Sequence, residues 1–322
     1  GVRNVGTYRV QIKGPRKLGL FINYLQGGRD HVERNNRAGK PTPVAIVMGT
    51  DPVIGLVSVS RVQADMDELA VAGGLRGEAV QVVRCQTVDL EVPATAEVVI
   101  EGIIRANELE NEGPFGEYTG YMGPAAMSYV VDVTCITHRN QPIVQAFLSQ
   151  MPPSESGCIR SIGRESTLLK HLKEDLRLPV RDVHLLEHSG AAAYLVISIK
   201  KTHPVQPRTV MFAAWAYAPQ FGKFTVVVDD DIDVRDSDDV NWALSFRVQP
   251  EHDAFIMSGT AAVSLDPSQA AVEVRQEEST RRVSSKLGID ATRKHKFPPL
   301  ALPPREHLAR VRQEWKKYGF HD

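Results

Sequence analysis

The sequence predicts a mixed α/β protein in which a β-rich half precedes a layered α/β region and a carboxy-terminal helix. Between residues 78 and 150, short β-branched runs are separated by Gly and Pro, which is typical of a compact barrel or sandwich. After Met151-Pro152-Pro153, strand-length apolar runs alternate with runs at helical spacing, which indicates an α/β layer domain. We therefore expect domains at residues 1–150 and 151–290, followed by a tail at 291–322.

The β-rich half is expected to open with a strand at residues 8–12, where β-forming residues alternate with polar ones. Apolar residues within 17–37 recur at a spacing that predicts a helix, interrupted at Gly27-Gly28. The remaining elements are expected as a strand at 44–48, helices from 51 and at 66–74, and strands at 80–85, 96–104, 129–137 and 143–148.

The second half and the tail follow a different pattern. In the tail, Leu308, Val311, Trp315 and Tyr318 form an apolar stripe at helical spacing. Such a stripe on a terminal helix is typical of an oligomer contact or a domain contact. Exchange of such helices between protomers would make a dimer, so we expect a homo-oligomer, a dimer or larger. The elements before it are expected as helices at 159–172, 205–217 and 240–246, and strands at 180–186, 193–199 and 224–228.

Composition excludes several classes of protein. A hydrophobic content of 42 %, a charged content of 24 % and a net charge of -1 are those of an ordinary globular protein and give no indication of a nucleic-acid partner. The longest apolar runs are too short to cross a membrane, and we expect no secretory signal. Three widely spaced cysteines support neither a disulfide framework nor a zinc site. We therefore expect a cytoplasmic protein.

The candidate site is the loop at residues 112–121, where Glu112 and Glu117 flank a Gly-Pro-Phe-Gly segment that suits neither a helix nor a central strand. Two such carboxylates could share an arginine, so that one of them keeps a proton and can act as a general acid. An ordinary solvated turn is an alternative interpretation. A glycosidase is another, since it also needs two carboxylates.

This loop and several other segments of the chain resemble the UbiD family of reversible decarboxylases, which use prenylated FMN. No single segment is specific, but five occur in order at compatible spacing. They are residues 4–9, 85–94, 97–102 and 112–117, and Lys223 with residues 229–233. The resemblance implies a flavin-binding split β-barrel domain followed by the α/β domain.

The resemblance also implies catalytic roles. Arg9 would orient the carboxylate of an aromatic, heteroaromatic or aryl-conjugated unsaturated acid, a task suited to a planar bidentate donor. Glu112 would pair with Arg9, and Glu117 would donate a proton to the carbon that loses carbon dioxide. Prenylated FMN would take up the electrons released, and a flavin prenyltransferase would supply it.

The family holds the cofactor phosphate through manganese or magnesium, with a potassium ion close by. The positions matching the metal ligands are Asn4, Glu68 and Gln26, although Gln26 stands where many members have a histidine, and His31 is an alternative. Asn4 and Gln26, as metal ligands, would thereby also contact the cofactor. The other positions matching cofactor contacts are Ser58, Ser60 and Lys223.

One departure from the family concerns length. Members usually carry an additional amino-terminal α/β domain, whereas this sequence begins almost at the asparagine that matches a metal ligand. The resemblance therefore leaves a second hypothesis open, a non-catalytic flavin-binding or scaffold subunit.

Overall fold

Two compact units make up the chain, Gly1–Thr292 and Arg293–Asp322. The computed structural model describes residues 3–23, 26–60, 62, 66–263, 265–269 and 283–320. The first unit contains a β-rich region followed by a region in which helices cover a mixed sheet. The expected mixed α/β class is therefore confirmed.

The β-rich region is built on an antiparallel five-stranded sheet with the order β1-β2-β7-β6-β3, and β4 pairs with β5 in a separate ladder. Its strands are β1 (Arg9–Gly14), β2 (Lys17–Phe21), β3 (Thr42–Met48), β4 (Val82–Arg84), β5 (Glu91–Pro93), β6 (Val98–Glu112) and β7 (Ala126–His138). Its helices are α1 (Gly27–Arg37), α2 (Pro52–Ser58) and α3 (Glu68–Arg76).

This sheet curls so that side chains of β1 reach the end of β6 across two intervening strands. Lys13 Nζ donates to the carbonyl oxygen of Asn111 at 2.6 Å, and Gln11 Oε1 accepts from the Gly113 amide at 3.4 Å. In the described part of the chain, β1 and β3 are the two edge strands of this sheet. Instead of the expected barrel, the region forms a curled sheet. Side chains of β1, and no backbone ladder, connect β1 to the end of β6 in the described residues.

Residues 17–37 correct one prediction, because a strand occupies the start of the expected helix. Leu18, Leu20 and Ile22 are all buried at a spacing of two, which is the period of a strand face. They pack with Val32, Ile104, Tyr129 and Val131 in the core of the sheet. Of the apolar residues expected to form a helical stripe, Leu18, Leu20 and Phe21 therefore belong to β2, and the helix begins only at Gly27. The other two, Tyr24 and Leu25, lie outside the described residues.

Residues 85–94, one of the segments that carry the family resemblance, surround a buried carboxylate. Glu101 on β6 is 1 % exposed and accepts hydrogen bonds from the Gln86 amide at 2.8 Å and the Thr87 amide at 2.6 Å. The Thr87 hydroxyl donates to the same carboxylate at 2.7 Å. Burial opposes ionisation, but these bonds outweigh it and lower the pKa of Glu101. The segment therefore fixes the loop before β5 onto the main sheet.

The second region of this unit is a five-stranded mixed sheet with the order β11-β12-β10-β9-β8, in which β10 runs parallel to β9 and β12. Its strands are β8 (Val180–Leu185), β9 (Tyr194–Ile199), β10 (Phe224–Asp229), β11 (Ala254–Ala261) and β12 (Val283–Ala291). Its helices are α4 (Glu155–Lys170), α5 (Gln206–Tyr217), α6 (Ser237–Arg247) and α7 (Pro250–Asp253). The sequence did not predict β11 and β12, whose polar residues give weak alternation.

Helices cover both faces of this sheet. On β10, Val227 packs into the cluster formed with α4 and α5, whereas Val226 and Val228 pack toward α6. All three side chains are fully buried. A strand buried on both faces appears in a sequence as an uninterrupted apolar run, and Phe224–Asp229 has that pattern.

Residues 143–148 correct a second prediction, because they form no strand. Ile143 is 76 % exposed and Leu148 is 70 % exposed. Their amides donate to side chains instead of a ladder, Ile143 to Glu97 at 3.1 Å and Leu148 to Glu155 at 3.0 Å. Apolar composition alone therefore misassigned a connecting segment.

The tail unit contains helix α8 (Arg305–Gln313) and a 3-10 turn at Trp315–Tyr318. The expected helical stripe therefore changes helix type at Trp315, whose ring stacks on Phe320 at a centroid distance of 4.6 Å. Among the helices of the described residues, none is both long and apolar enough to cross a membrane.

Candidate active site

The site begins with an arginine bonded to two glutamates. Arg9 opens β1, Glu112 ends β6, and Glu117 lies in the loop that follows β6. Arg9 donates from Nε to Glu112 Oε1 at 3.1 Å and from Nη2 to Oε2 at 2.9 Å. Its Nη1 donates to Glu117 Oε1 at 2.5 Å. The curl of the sheet thus brings Arg9 to two glutamates that lie more than a hundred positions further along the chain.

Two aromatic rings hold the guanidinium in place. The Arg9 guanidinium carbon lies 4.6 Å from the ring centroid of Phe21 and 4.7 Å from that of Phe115. Such cation–π contacts stabilise a planar cation and restrict its orientation. Phe21 comes from β2 and Phe115 from the loop, so the packing that seats the loop also positions the arginine.

Burial in this cluster favours a retained proton on Glu117. Burial raises the pKa of Glu117, Arg9 opposes the rise, and the charge of Glu112 adds to it, so that the net pKa is raised. For Arg9, burial lowers the pKa, but the bonds and charges of both glutamates outweigh it and the net pKa is raised. One permanent cation therefore faces two acids, of which Glu112 is almost wholly buried.

The loop itself is a tight reversal that presents Glu117. The Glu117 amide donates to the Tyr121 carbonyl oxygen at 2.9 Å, and the Gly123 amide donates to that of Phe115 at 2.8 Å. Gly120 has a φ of 86°, a conformation that other residues rarely adopt. A Cβ added at Gly123 would lie 2.8 Å from Glu117 Cγ, so only glycine leaves room for this carboxylate.

The three residues expected to bind a metal lie on segments that are joined by hydrogen bonds around Tyr8 and its neighbours. Asn4 Nδ2 donates to the Tyr8 hydroxyl at 2.7 Å, and so does the Gly28 amide at 3.1 Å. Glu68 Oε2 accepts from the Val5 amide at 3.3 Å. Gln26 precedes α1, and its Oε1 accepts from the Asn23 amide at 2.8 Å.

Two amides and one carboxylate form a set of hard oxygen donors, which suits a magnesium or manganese ion. A Cβ added at Gly27 would lie 2.6 Å from Asn4 Oδ1, so the chain passes very close to that oxygen. Among the described residues, no group of three or more His, Cys, Asp or Glu side chains is placed to hold a metal. The alternative ligand His31 lies within α1.

The expected cofactor contacts fall at two places. Ser58, at the end of α2, lies 2.6 Å from the Thr7 hydroxyl, next to the segment that carries Asn4. Ser60 donates to the Leu56 carbonyl oxygen at 2.8 Å. Lys223 lies in the α/β region and donates to Asp266 at 2.7 Å and to Ser268 at 2.6 Å.

Two residues at this site, Tyr118 in the loop and Arg160 on α4, were not predicted from the sequence. The Arg160 guanidinium of α4 lies 4.6 Å from the ring centroid of Tyr118, which directly follows Glu117. Burial lowers the pKa of Arg160, although Tyr118 and Glu117 partly offset the effect. Tyr118 stands within the loop already chosen and could have been named, whereas no pattern in the sequence marks Arg160.

Two models of one protein family match most of the chain. Residues 1–152 match the family model described as the 3-octaprenyl-4-hydroxybenzoate carboxy-lyase Rift-related domain. Residues 158–291 match the model of the carboxy-terminal domain of the same carboxy-lyase. A Synechocystis sp. protein described only as uncharacterized is 32 % identical over all of this chain, which spans 64 % of that relative's length.

Solved structures of UbiD-class enzymes share the fold. HmfF from Pelotomaculum thermopropionicum in complex with FMN is 36 % identical, with a TM-score of 0.85 over 96 % of this chain and 68 % of its own. An evolved dimeric form of that enzyme contains prFMN and gives a TM-score of 0.80 over 94 % of this chain and 64 % of its own.

Vanillic acid decarboxylase of Sedimentibacter hydroxybenzoicus is 28 % identical, with a TM-score of 0.81 over 98 % of this chain and 67 % of its own. Together, the two family models cover nearly the whole first unit, and the structural matches extend over almost the entire chain. The chain therefore belongs to the UbiD family.

Proposed function

We propose that the protein catalyses the reversible, non-oxidative decarboxylation of an aromatic, heteroaromatic or aryl-conjugated unsaturated carboxylic acid with prenylated FMN. The observation that supports this proposal most directly is the bonding of Arg9 to both Glu112 and Glu117. The Arg9 side chain is 27 % exposed, so a ligand can still reach it.

Arg9 has capacity left for a substrate carboxylate. A guanidinium carries five N–H donors. Three of those of Arg9 are occupied by Glu112 and Glu117, which leaves two for a ligand. In this role Arg9 would orient the acid, and the buried Glu112 would hold the guanidinium in place.

Glu117 would supply the proton that replaces carbon dioxide, and would remove it in the reverse direction. A general acid is most effective when its pKa lies near the operating pH. The pKa of Glu117 is raised, which brings it closer to a neutral operating pH than the pKa of an ordinary glutamate.

The donor set described above supports the placement of the cofactor. Asn4, Gln26 and Glu68 would hold the divalent metal at the cofactor phosphate, with potassium nearby, and Ser58, Ser60 and Lys223 would contact the cofactor. When bound, prenylated FMN supplies an electron sink for the bond that is broken. Its production by a flavin prenyltransferase is part of the proposal.

We also propose the domain boundaries near residues 150 and 290, and a homo-oligomer formed through the tail. Trp315, Tyr318 and Phe320 are between 39 % and 53 % exposed and support a protein contact.

The proposal is tested by co-expression with a flavin prenyltransferase in medium containing manganese and potassium. The bound small molecules are identified by absorbance and mass, and a panel of carboxyl-labelled aromatic acids is then screened for labelled carbon dioxide. We expect bound prenylated FMN and release from at least one acid. A protein that binds the cofactor but releases carbon dioxide from none would instead support the scaffold function.

A further inference from the structure

A lysine in the α/β region is almost completely buried and is not part of the site described above. Lys286, on β12, is 2 % exposed, and burial lowers the pKa of its ammonium group to about 8. The ring of Trp215, whose centroid lies 5.9 Å from Lys286 Nζ, offsets only part of the cost of burying this charge. An apolar side chain would fill the same position without that cost. The charge of Lys286 therefore calls for an explanation other than stability.

The ammonium group of Lys286 is bonded to the loop at residues 218–223, which joins α5 to β10. Lys286 Nζ donates to the carbonyl oxygen of Phe221 at 2.5 Å. The next residue of β12, Leu287, donates its amide to the carbonyl oxygen of Lys223 at 2.8 Å. Two consecutive residues of β12 therefore hold this loop on both sides of Gly222.

Gly222 makes the loop a closely packed turn. Its φ is 65°, its amide donates to the Ala192 carbonyl oxygen at 2.8 Å, and its own carbonyl oxygen accepts from the Thr225 hydroxyl at 3.0 Å. A Cβ added at Gly222 would lie 2.5 Å from the same hydroxyl oxygen. The carbonyl oxygens of residues 221–223 are thus all bonded. The bond from Lys286 has a charged donor, and such bonds are about twice as strong as neutral ones.

The loop ends at Lys223, the residue that we propose contacts the cofactor. The Lys223 side chain is 24 % exposed, and its Nζ donates to Asp266 at 2.7 Å and to Ser268 at 2.6 Å. A lysine ammonium is a point charge on a flexible stem, so its position depends on where the backbone is held. The bonds from Lys286 and Leu287 hold the backbone directly at this side chain.

We propose that Lys286 is a positioning residue for flavin binding, whose bond to Phe221 holds the 218–223 loop so that Lys223 reaches the phosphate of the cofactor. Lys286 acts through the backbone of the loop and not by contact with the reacting atoms. The inference rests on the proposed cofactor contact of Lys223 and adds the residue that supports it. It also explains the buried charge, because a neutral side chain would hold the loop less firmly.

The test uses the whole chain with Lys286→Met, which keeps the length of the side chain and removes its charge and its N–H donors. Lys223→Met and the double variant show whether Lys286 acts through Lys223. Lys201→Met is the control, because Lys201 Nζ donates at 2.7 Å to Thr292, which follows the opposite end of β12. Three quantities are measured for each protein: the FMN dissociation constant with manganese, the melting temperature without flavin, and the hydrogen exchange of the loop amides without flavin.

We expect Lys286→Met to bind FMN about 10-fold more weakly, as for the loss of one bond from a charged donor, and its loop amides to exchange faster. Its melting temperature should not fall, because removal of a buried charge compensates for the lost bond. The double variant should bind FMN no more weakly than Lys223→Met, since the two residues act on the same contact. Lys201→Met should bind FMN like the wild type.

A lysine with a purely structural role would give a different result. The inference is overturned if Lys286→Met binds FMN as tightly as the wild type, or if the effects of the two substitutions add in the double variant. It is also overturned if FMN affinity and melting temperature fall together in Lys286→Met, or if that variant does not fold.

Failure of this inference and failure of the proposed function can be distinguished, because FMN binding is measured apart from turnover. A wild type that releases no carbon dioxide from any acid, but whose FMN affinity depends on Lys286 as expected, would contradict the proposed function and leave the inference standing. A wild type that releases carbon dioxide, together with a Lys286→Met variant of unchanged FMN affinity, would do the reverse.

Discussion

Arg9 combines a fixed orientation with spare donors. Two rings and a bidentate bond to a buried carboxylate determine the plane of its guanidinium. Lysine offers a single point charge on a flexible stem and cannot reproduce this arrangement. In the proposed function, the shape of this cation therefore matters as well as its charge.

We predict that Arg9→Lys lowers the rate of decarboxylation by about 100-fold or more, because an oriented electrostatic contact to the reacting group is lost. Flavin content should remain unchanged, since Arg9 is not among the expected cofactor contacts. The matched control is Arg105→Lys, which alters an exposed ion pair to Asp132 and Glu108. Equal rates in the wild type and Arg9→Lys would contradict the role of Arg9.

The raised pKa of Glu117 has a consequence for stability. A carboxyl with a raised pKa in the folded state binds its proton more tightly there than in the unfolded chain. The corresponding stability is fully present below the ordinary value of 4.5 and is lost as the pH rises through the folded pKa. We predict that the wild type loses free energy of unfolding relative to Glu117→Gln above pH 4.5. Denaturant titrations at several pH values measure it, and a constant difference would contradict the shift.

Glu112 and Glu117 could be paired from the loop sequence itself, whereas Asn4 and Arg9 were expected only through the resemblance to the family. Asn4 and Arg9 lie in one short segment, and Glu112 and Glu117 lie in another. The contact between those segments depends on the curl of the sheet, which no local pattern specifies. Arg160 belongs to a third segment, on a helix with ordinary spacing, so only the tertiary structure brings it to the loop.

At the scale of elements, α4 lies close to the end of α2. A Cβ added at Gly163 would lie 2.4 Å from the Ser60 hydroxyl, which is bonded to Leu56. Gly74 in α3 is also helical, but nothing lies within 4 Å of its added Cβ. Both glycines are therefore helical, but only Gly163 lacks room for a side chain.

We predict that Gly74→Ala stabilises the protein by about 0.5–1 kcal/mol, the usual helical preference for alanine. Gly163→Ala should gain no stability, because displacing Ser60 costs about as much as the helical preference contributes. It should also weaken flavin binding if Ser60 contacts the cofactor. Denaturant unfolding and FMN titration measure these effects. Equal stabilisation by both substitutions would contradict the close approach at Gly163.

Elements whose apolar residues follow a single spacing, helical or strand-like, were predicted well. Segments whose apolar residues fit both spacings, or are exposed, were not. The buried strands β9 and β10 and the helices α4 and α5 were placed within a few residues. The segment from residue 17 failed because Leu18, Leu20 and Ile22 satisfy a strand period while neighbouring apolar residues suggest a helix. Residues 143–148 failed because their apolar side chains are exposed.

At the scale of the whole molecule, the first unit places the loop at residues 112–121 between its two regions. Tyr118 contacts Arg160 on α4, and a Cβ added at Gly190 would lie 2.4 Å from the Tyr118 ring. The β-rich region supplies Arg9 and both glutamates, and the α/β region supplies Arg160. The proposed reaction therefore requires the two regions to be folded together.

We predict that FMN and manganese together raise the melting temperature, because ligands that bind only the folded state stabilise it by about 2.7 kcal/mol at 100 times Kd. A chelator should reverse the shift. Glu68→Gln should weaken the effect of manganese, and Glu78→Gln, outside the proposed site, serves as the control. If FMN raised the melting temperature equally with and without manganese, and a chelator had no effect, a metal at Asn4, Gln26 and Glu68 would be contradicted.

Proton donation by Glu117 is the step on which the proposed decarboxylation depends most. The most direct measurement is carbon dioxide release per bound flavin for the wild type and Glu117→Gln, at equal content of prenylated FMN, with an acid that the wild type accepts. We predict a loss of about 100-fold to 10,000-fold in the variant, the range for removal of a general acid, with the acid still bound. Turnover of Glu117→Gln at the wild-type rate would contradict the claim.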